Sequence, residues 1–199
     1  MDREIIVSFG ILSPAQKRAL RPYVHGRVVY DLGSGNDLEL AQQLTYLRVK
    51  EVVAVDTYPS PWAYSTTGYG PKGTSEEIIR YVRQDLVNFH EPVRTAFVSW
   101  PSNRPNPGLL RILKGASVVI YLGTNMDGTA CGTPDLFRYL ATRSVLAHEP
   151  DMRNTLIVYG QKGPAREPLP EELAGYDQSK IYYSIDAYRR VTAEDLKRS

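Results

Sequence analysis

Cysteine is almost missing from this chain. Cys131 is the only one in 199 residues, so no disulfide can close within the chain and no thiolate zinc site can be assembled from it. That predicts a reducing compartment and a cytoplasmic protein. A surplus of charge is missing as well. The 24 Lys and Arg stand against 22 Asp and Glu, a net +2, too little to predict a phosphate-tracking surface, so nucleic acid is allowed as a partner without being indicated. No apolar stretch approaches the about 20 residues needed to cross a bilayer. The first ten residues carry Asp2 and Glu4, where a signal peptide has a basic start and an apolar centre. No membrane partner is expected. Histidine is scarce, and His25, His90 and His148 adjoin no cysteine or acidic pair at ligand spacing, so no metal is expected. A nucleophile elbow is also missing. Ser34 lies in Asp31-Leu32-Gly33-Ser34-Gly35, which lacks the Gly-x-Ser-x-Gly flanks of a hydrolase serine.

What remains is an ordinary globular composition, 42% hydrophobic and 23% charged, on a length that suits one domain spanning residues 1–199. Ser13-Pro14-Ala15 predicts a helix start, and a covering helix is expected at about 13–24. Val28 to Leu32 is a β-branched and aromatic run that ends abruptly in Gly33-Ser34-Gly35, which predicts a strand and a glycine turn. After it, Asn36 can cap a helix with Glu39 as its capping-box partner, and Leu38, Ala41, Leu44 and Leu47 supply the apolar stripe. Val52 to Asp56 is a second buried-type strand, at the spacing of a right-handed strand-helix-strand unit, so the sheet is expected to be parallel. Further strands are expected at 78–83, 95–99, 117–122, 155–159 and 181–185, with helices over 108–114 and 134–146. Residues 57–75 read as a long loop holding Tyr58, Trp62, Tyr64 and Tyr69, and long loops in compact domains are often functional.

A strand that ends in Gly-x-Gly and opens a helix lets a ligand approach the backbone closely. Alone, that spacing also fits a simple tight connection. Two carboxylates strengthen it: Asp31 precedes the turn, and Asp56 ends the next strand, where a carboxylate can accept both vicinal ribose hydroxyls. Dinucleotide sites and S-adenosylmethionine sites share this arrangement. Asp31, Asp37, Asp56 and Asp85 together suit a cationic sulfonium and ammonium better than an anionic pyrophosphate. The dinucleotide fingerprint also needs a third glycine where this chain has Leu38.

The stretch Val28 to Leu38, VVYDLGSGNDL, resembles motif I of the class I S-adenosylmethionine-dependent methyltransferases. VVAVD, ending at Asp56, resembles their second motif. The likeness covers the N-terminal third of the chain. It implies a doubly wound α/β fold of the Rossmann-like kind, with a mostly parallel seven-stranded sheet whose last strand is antiparallel. It also implies S-adenosylmethionine as cofactor and direct methyl transfer as the reaction. Carried onto this chain, it places Asp31 near the methionine amine, lines the cofactor with Gly33 and Gly35, and gives Asp56 the ribose. Asp37 stands where the family often has another glycine.

Arg83-Gln84-Asp85-Leu86 is similar to the family's adenine-contacting stretch, which makes Asp85 and Leu86 candidates; a solvated Asp85 reads equally well. Ser99-Trp100-Pro101-Ser102-Asn103 falls where the family places residues between sulfonium and acceptor, so Ser99, Trp100 and Pro101 are the catalytic candidates. Base-directed amino methyltransferases often show an Asp or Asn, two prolines and an aromatic there, and SWPS keeps one proline. Trp100 reads equally as a stacking surface or as a packing partner of Pro101. The expected acceptor is a small planar or apolar molecule, held by Trp100, Pro101 and the aromatic loop from Tyr58 to Tyr69. Two other readings stay open: a catalytically silent S-adenosylmethionine-binding partner subunit, and a nicotinamide-dependent oxidoreductase.

Overall fold

Apolar, β-branched runs make the middle of the sheet because residues covered on both faces have no solvated side. The structure, a computed structural model, describes residues 12–34, 38–57, 78–102, 104–124, 131–151 and 154–176. Five strands, β1 (Val28–Leu32), β2 (Glu51–Asp56), β3 (Ile79–Arg83), β4 (Thr95–Ser99) and β5 (Val118–Thr124), run parallel to one another. With β6 (Arg143–Pro150) and β7 (Asn154–Lys162) they form one seven-stranded sheet in the order β3-β2-β1-β4-β5-β7-β6. β7 is antiparallel to both of its neighbours. The expected doubly wound, mostly parallel α/β sheet of Rossmann-like type is what the chain adopts.

Successive strand residues point to opposite faces, and each face has its own cover. α1 (Pro14–Val24) and α2 (Glu39–Thr45) supply Leu20, Val24, Leu40, Ala41 and Leu44 against Val29, Val52, Phe97 and Ile120. α3 (Pro107–Gly115), α4 (Pro134–Ala141) and α5 (Pro170–Tyr176) lie on the other side, where Leu109, Leu113, Phe137, Leu140 and Ala174 meet Leu32, Val55, Val98 and Tyr121. α1 begins as its sequence predicts. Ser13 Oγ accepts the Gln16 N–H at 3.2 Å, and Gln16 Oε1 accepts the Ser13 N–H at 3.1 Å, a reciprocal cap on a helix whose first residue is proline.

Two expectations are corrected. The helix expected over 134–146 stops at Ala141, and residues 143–150 form β6, a strand absent from the sequence reading. The reason is Arg143. Its guanidinium turns into the core and donates to the carbonyls of Ala116 (2.8 Å) and Ser117 (3.1 Å) between α3 and β5, tying the chain to the sheet instead of to another helical turn. β7 covers the strand expected at 155–159 and is antiparallel to both neighbours; the strand expected at 181–185 lies outside the described residues. The cap of α2 also moves: the N-cap position belongs to Leu38, in the left-handed region at φ 52°, with no side-chain cap. Asn36 lies outside the described residues.

A buried polar cluster joins β7 to α5. The Tyr159 hydroxyl donates to Glu172 Oε1 at 3.0 Å. Glu172 also accepts both Nη groups of Arg166, at 2.9 and 2.5 Å, and the Leu169 N–H at 2.8 Å. Burial, and then the Glu172 carboxylate, hold the Tyr159 phenol well above its ordinary value; burial does the same to Tyr121 on β5. Raised folded-state values mean that both phenols contribute stability fully below about pH 10, their unfolded value. That contribution is lost as pH rises from there toward the folded values. Denaturant titrations from pH 9 to 11 are expected to show stability falling by up to about 1.4 kcal/mol per pH unit for each tyrosine. Tyr159→Phe should flatten that fall, and an identical profile in the variant would contradict it.

Candidate functional site

β1 and β4 are adjacent, with Asp31 opposite Phe97, although the chain passes through β2 and β3 between them. Here the winding of the sheet reverses, and in open α/β sheets ligands bind outside the carboxyl ends of the strands at such a point. Of the sequence candidates, Asp31, Gly33, Asp56, Ser99, Trp100 and Pro101 fall at this edge because they end or directly follow β1, β2 and β4.

Asp31 is the penultimate residue of β1 and completely buried. Its register partners Ala54 and Phe97 put it on the face covered by α1 and α2. Gly33 turns the chain with φ 83°, a conformation that favours glycine, and its N–H donates to the Val55 carbonyl at 2.8 Å. It is exposed, and a Cβ added to it would meet nothing within 4 Å. Among the described residues, the turn therefore presents bare backbone to open space, as close approach of a ligand requires. Ser34, which the sequence reading considered only as a nucleophile, is buried, and its Oγ has no hydrogen-bond partner among the described residues. A buried hydroxyl without a partner is uncommon, and this one adjoins the turn. Gly35 and Asp37 lie outside the described residues.

Asp56 closes β2, half-buried, and its Oδ1 accepts from Thr57 Oγ1 at 3.5 Å. Its backbone carbonyl takes the Gln84 N–H at 2.9 Å, joining the end of β2 to the segment that leaves β3. On that segment Asp85 is exposed. Its Oδ1 accepts the Val87 N–H at 2.9 Å and its carbonyl the Asn88 N–H at 2.9 Å, a turn built by the side chain itself. Leu86 is buried in the core on the α3 side, and its carbonyl accepts from Arg111 Nη2 at 3.1 Å.

Ser99 ends β4 opposite Leu122. Trp100 follows in the left-handed region at φ 46°, its N–H donating to the Leu122 carbonyl at 2.7 Å. For a bulky residue that conformation costs about 1–2 kcal/mol, and such outliers collect at functional sites. Pro101 packs on the segment after β5, with its ring 3.4 Å from where a Cβ on Gly132 would sit. That segment is tethered from below. The Tyr121 hydroxyl donates to the Cys131 carbonyl at 2.9 Å and accepts the Cys131 N–H at 3.3 Å. Its ring rises past Gly123, where a Cβ would come within 2.0 Å of the hydroxyl. Tyr121 is a positioning residue that the sequence reading missed; the available signal was a tyrosine two residues before a glycine inside a strand, a mark of close approach. Trp62 and the aromatic loop from Tyr58 to Tyr69 lie outside the described residues.

No family model and no curated protein sequence matches the chain. Solved structures match its fold. A candidate tRNA (m1A22) methyltransferase of Streptococcus pneumoniae is 15% identical, with 94% of this chain and 87% of that one covered at a TM-score of 0.56. An rRNA methylase of Streptococcus thermophilus is 14% identical, covering 77% and 99% at a TM-score of 0.51. A ribosomal protein L11 methylase of Lactobacillus delbrueckii subsp. bulgaricus is 18% identical, covering 73% and 75% at a TM-score of 0.52. These names correct the expectation of a small-molecule acceptor. The three proteins are named for tRNA, rRNA and a ribosomal protein, and none for a small molecule. The strand order, the antiparallel β7 and the carboxylates at the ends of β1 and β2 are thus carried on the Rossmann-like fold of class I methyltransferases.

Proposed function

We propose that this chain is an S-adenosylmethionine-dependent methyltransferase whose acceptor is RNA. The observation that carries the reading is the edge itself, where two carboxylate-tipped strands flank a bare, open glycine turn at the point where the winding of the sheet reverses. A sulfonium with an α-ammonium is cationic, and Asp31 supplies the countercharge. Asp56 accepts the two ribose hydroxyls. The open backbone at Gly33 admits the methionine moiety, and Ser34 Oγ offers it a hydrogen bond. When bound, the cofactor supplies an electrophilic methyl group. The chain's own part is alignment, and well-held reactants gain an effective molarity of roughly 10⁵ M or more, so a dedicated base is not required. Trp100, whose backbone N–H is held by the Leu122 carbonyl, supplies the ring on which an unstacked base lies.

The nicotinamide reading is weaker on structural grounds. Leu38 occupies the place of the third fingerprint glycine, and its side chain fills the core under α2, where close helix-to-strand approach would need no side chain at all. The RNA acceptor draws its support from the names of the matched structures.

The test is incubation with S-[methyl-³H]adenosylmethionine and total RNA, followed by separate ribonuclease and proteinase digestion. Label is expected in a ribonuclease-sensitive fraction. Label confined to protein would overturn the acceptor, and its absence from every fraction would overturn the activity. Asp56→Ala is expected to weaken cofactor binding about 10- to 100-fold, since hydrogen bonds to charged groups contribute about 1.5–3 kcal/mol. An unchanged dissociation constant in the folded variant would place the ribose elsewhere.

A further inference from the structure

The net charge of +2 conceals a segregated distribution. From Leu12 through Tyr30 the chain carries Lys17, Arg18, Arg21 and Arg27 and no Asp or Glu. α1 turns that composition into a stripe. Leu20 and Val24 are buried, while Arg18, Arg21 and His25 are exposed, spaced three and four apart on one helical face. The Gly26 turn then brings exposed Arg27 to the foot of the helix, and Arg18, Arg21, Pro22, His25 and Arg27 line one open cleft of about 500 Å³. The Gly26 N–H donates to the Arg48 carbonyl and the Lys50 N–H to the Arg27 carbonyl, each at 2.8 Å. Exposed Arg48 and Lys50 therefore lie beside the same foot. None of these cations forms an ion pair among the described residues.

The direction of the stripe is set by two anchors. Near its start, Gln16 Nε2 donates to Asn154 Oδ1 at 2.7 Å and to the Glu149 carbonyl at 3.2 Å. Those residues lie at the end of β6 and the start of β7, at the edge where β5 ends, because both β5 and β6 are antiparallel to β7. Near its finish, the Tyr23 hydroxyl donates to the Leu146 carbonyl at 3.0 Å, and Arg27 directly precedes β1. α1 thus leads from the carboxyl edge of the sheet, where the candidate site lies, down to the opposite edge. Eleven helical residues span about 16 Å, long enough to meet several consecutive phosphates of one strand.

We propose that this stripe is the track along which the RNA acceptor's backbone leaves the methyl-transfer edge, with Arg18, Arg21 and Arg27 neutralising its phosphates. The proposal rests on the RNA reading above. An anionic membrane is the weaker partner for the same charge, since α1 has spent its apolar face: Leu20 and Val24 are completely buried in the core, leaving nothing to insert.

Fluorescence anisotropy of a labelled tRNA transcript tests it, with the parent compared to Arg18→Ala/Arg21→Ala/Arg27→Ala over a range of salt. All three side chains are exposed and remote from the cofactor residues, so adenosylmethionine affinity should not change. At about 100 mM salt, RNA affinity is expected to fall more than about tenfold, and the slope of log K against log salt to shrink by roughly two to three. Arg→Lys at the same positions should keep most of the slope. A triple alanine variant with the parent's affinity and slope would overturn the proposal. So would a parent that ignores RNA and instead binds phosphatidylglycerol vesicles. An RNA affinity that falls as expected in a protein that transfers no methyl group would uphold the track and defeat only the activity.

Discussion

Replacing Gly108 with alanine is expected to destabilise the protein by about 3 kcal/mol or more, at or beyond the upper end of overpacking costs. A Cβ at this position, in the first turn of α3, would stand 2.4 Å from both the Leu86 carbonyl carbon and the Val87 nitrogen, and 2.6 Å from the Leu86 oxygen. All three are backbone atoms, so no rotamer change relieves the contact. The crossover from β3 to β4 would have to lift off α3, disturbing Leu86 and Phe89 in the core. For a chain of 199 residues, that corresponds to a melting temperature lower by roughly 6–12 °C. Gly115, at the end of the same helix, is the control. A Cβ there would meet nothing within 4 Å, and Gly115→Ala should be neutral or stabilising by up to about 1 kcal/mol. Equal melting temperatures for the two variants would show that α3 does not pack on the crossover in this way.

The second large effect concerns Asp31. Under the proposed function its carboxylate pairs with the methionine ammonium of the cofactor, and it does so from a completely buried position. Charge pairs shielded from water lose about 2–4 kcal/mol or more when one partner is removed. Asp31→Asn keeps the volume and a hydrogen-bonding oxygen while deleting the charge. It is expected to weaken adenosylmethionine and its demethylated product by roughly 30- to 1,000-fold. Methylthioadenosine carries the adenine and ribose but no amino acid, so its affinity should stay within about twofold of the parent's, because that ligand lacks the lost ion pair. Equal affinity of parent and variant for adenosylmethionine would remove Asp31 from the site. Equal weakening of all three ligands would assign it a structural role instead.

The central strands were legible because burial on both faces leaves an uninterrupted apolar run, as in Val52–Val55, and because carboxylates at strand ends stand out against such runs. Those ends, together with the resemblance to methyltransferase motifs, made Asp31, Gly33, Asp56, Ser99, Trp100 and Pro101 candidates, and the fold brings them to one edge. β6 was not legible. It is an edge strand with register shifts between Arg143, Val145 and Ala147, so it shows no clean alternation. Its anchor, Arg143, is a buried cation bonded to carbonyls distant in sequence, and charge normally signals exposure. Tyr121 was missed for a related reason: an aromatic in a strand reads as core, and only the fold reveals that its hydroxyl holds the segment after β5. The basic stripe was hidden by arithmetic. Net charge averages over the chain, whereas recognition depends on where charges lie, and the acids are absent from residues 12–30.

S-adenosylmethionine binding at this edge is the central claim, and one titration tests it most directly. Isothermal calorimetry of the full chain against S-adenosylmethionine, S-adenosylhomocysteine and NAD is expected to show saturable binding of both adenosyl compounds at one site and none of NAD. Saturable NAD binding with no heat from either adenosyl compound would contradict it, and with it the assignment of Asp31, Gly33 and Asp56.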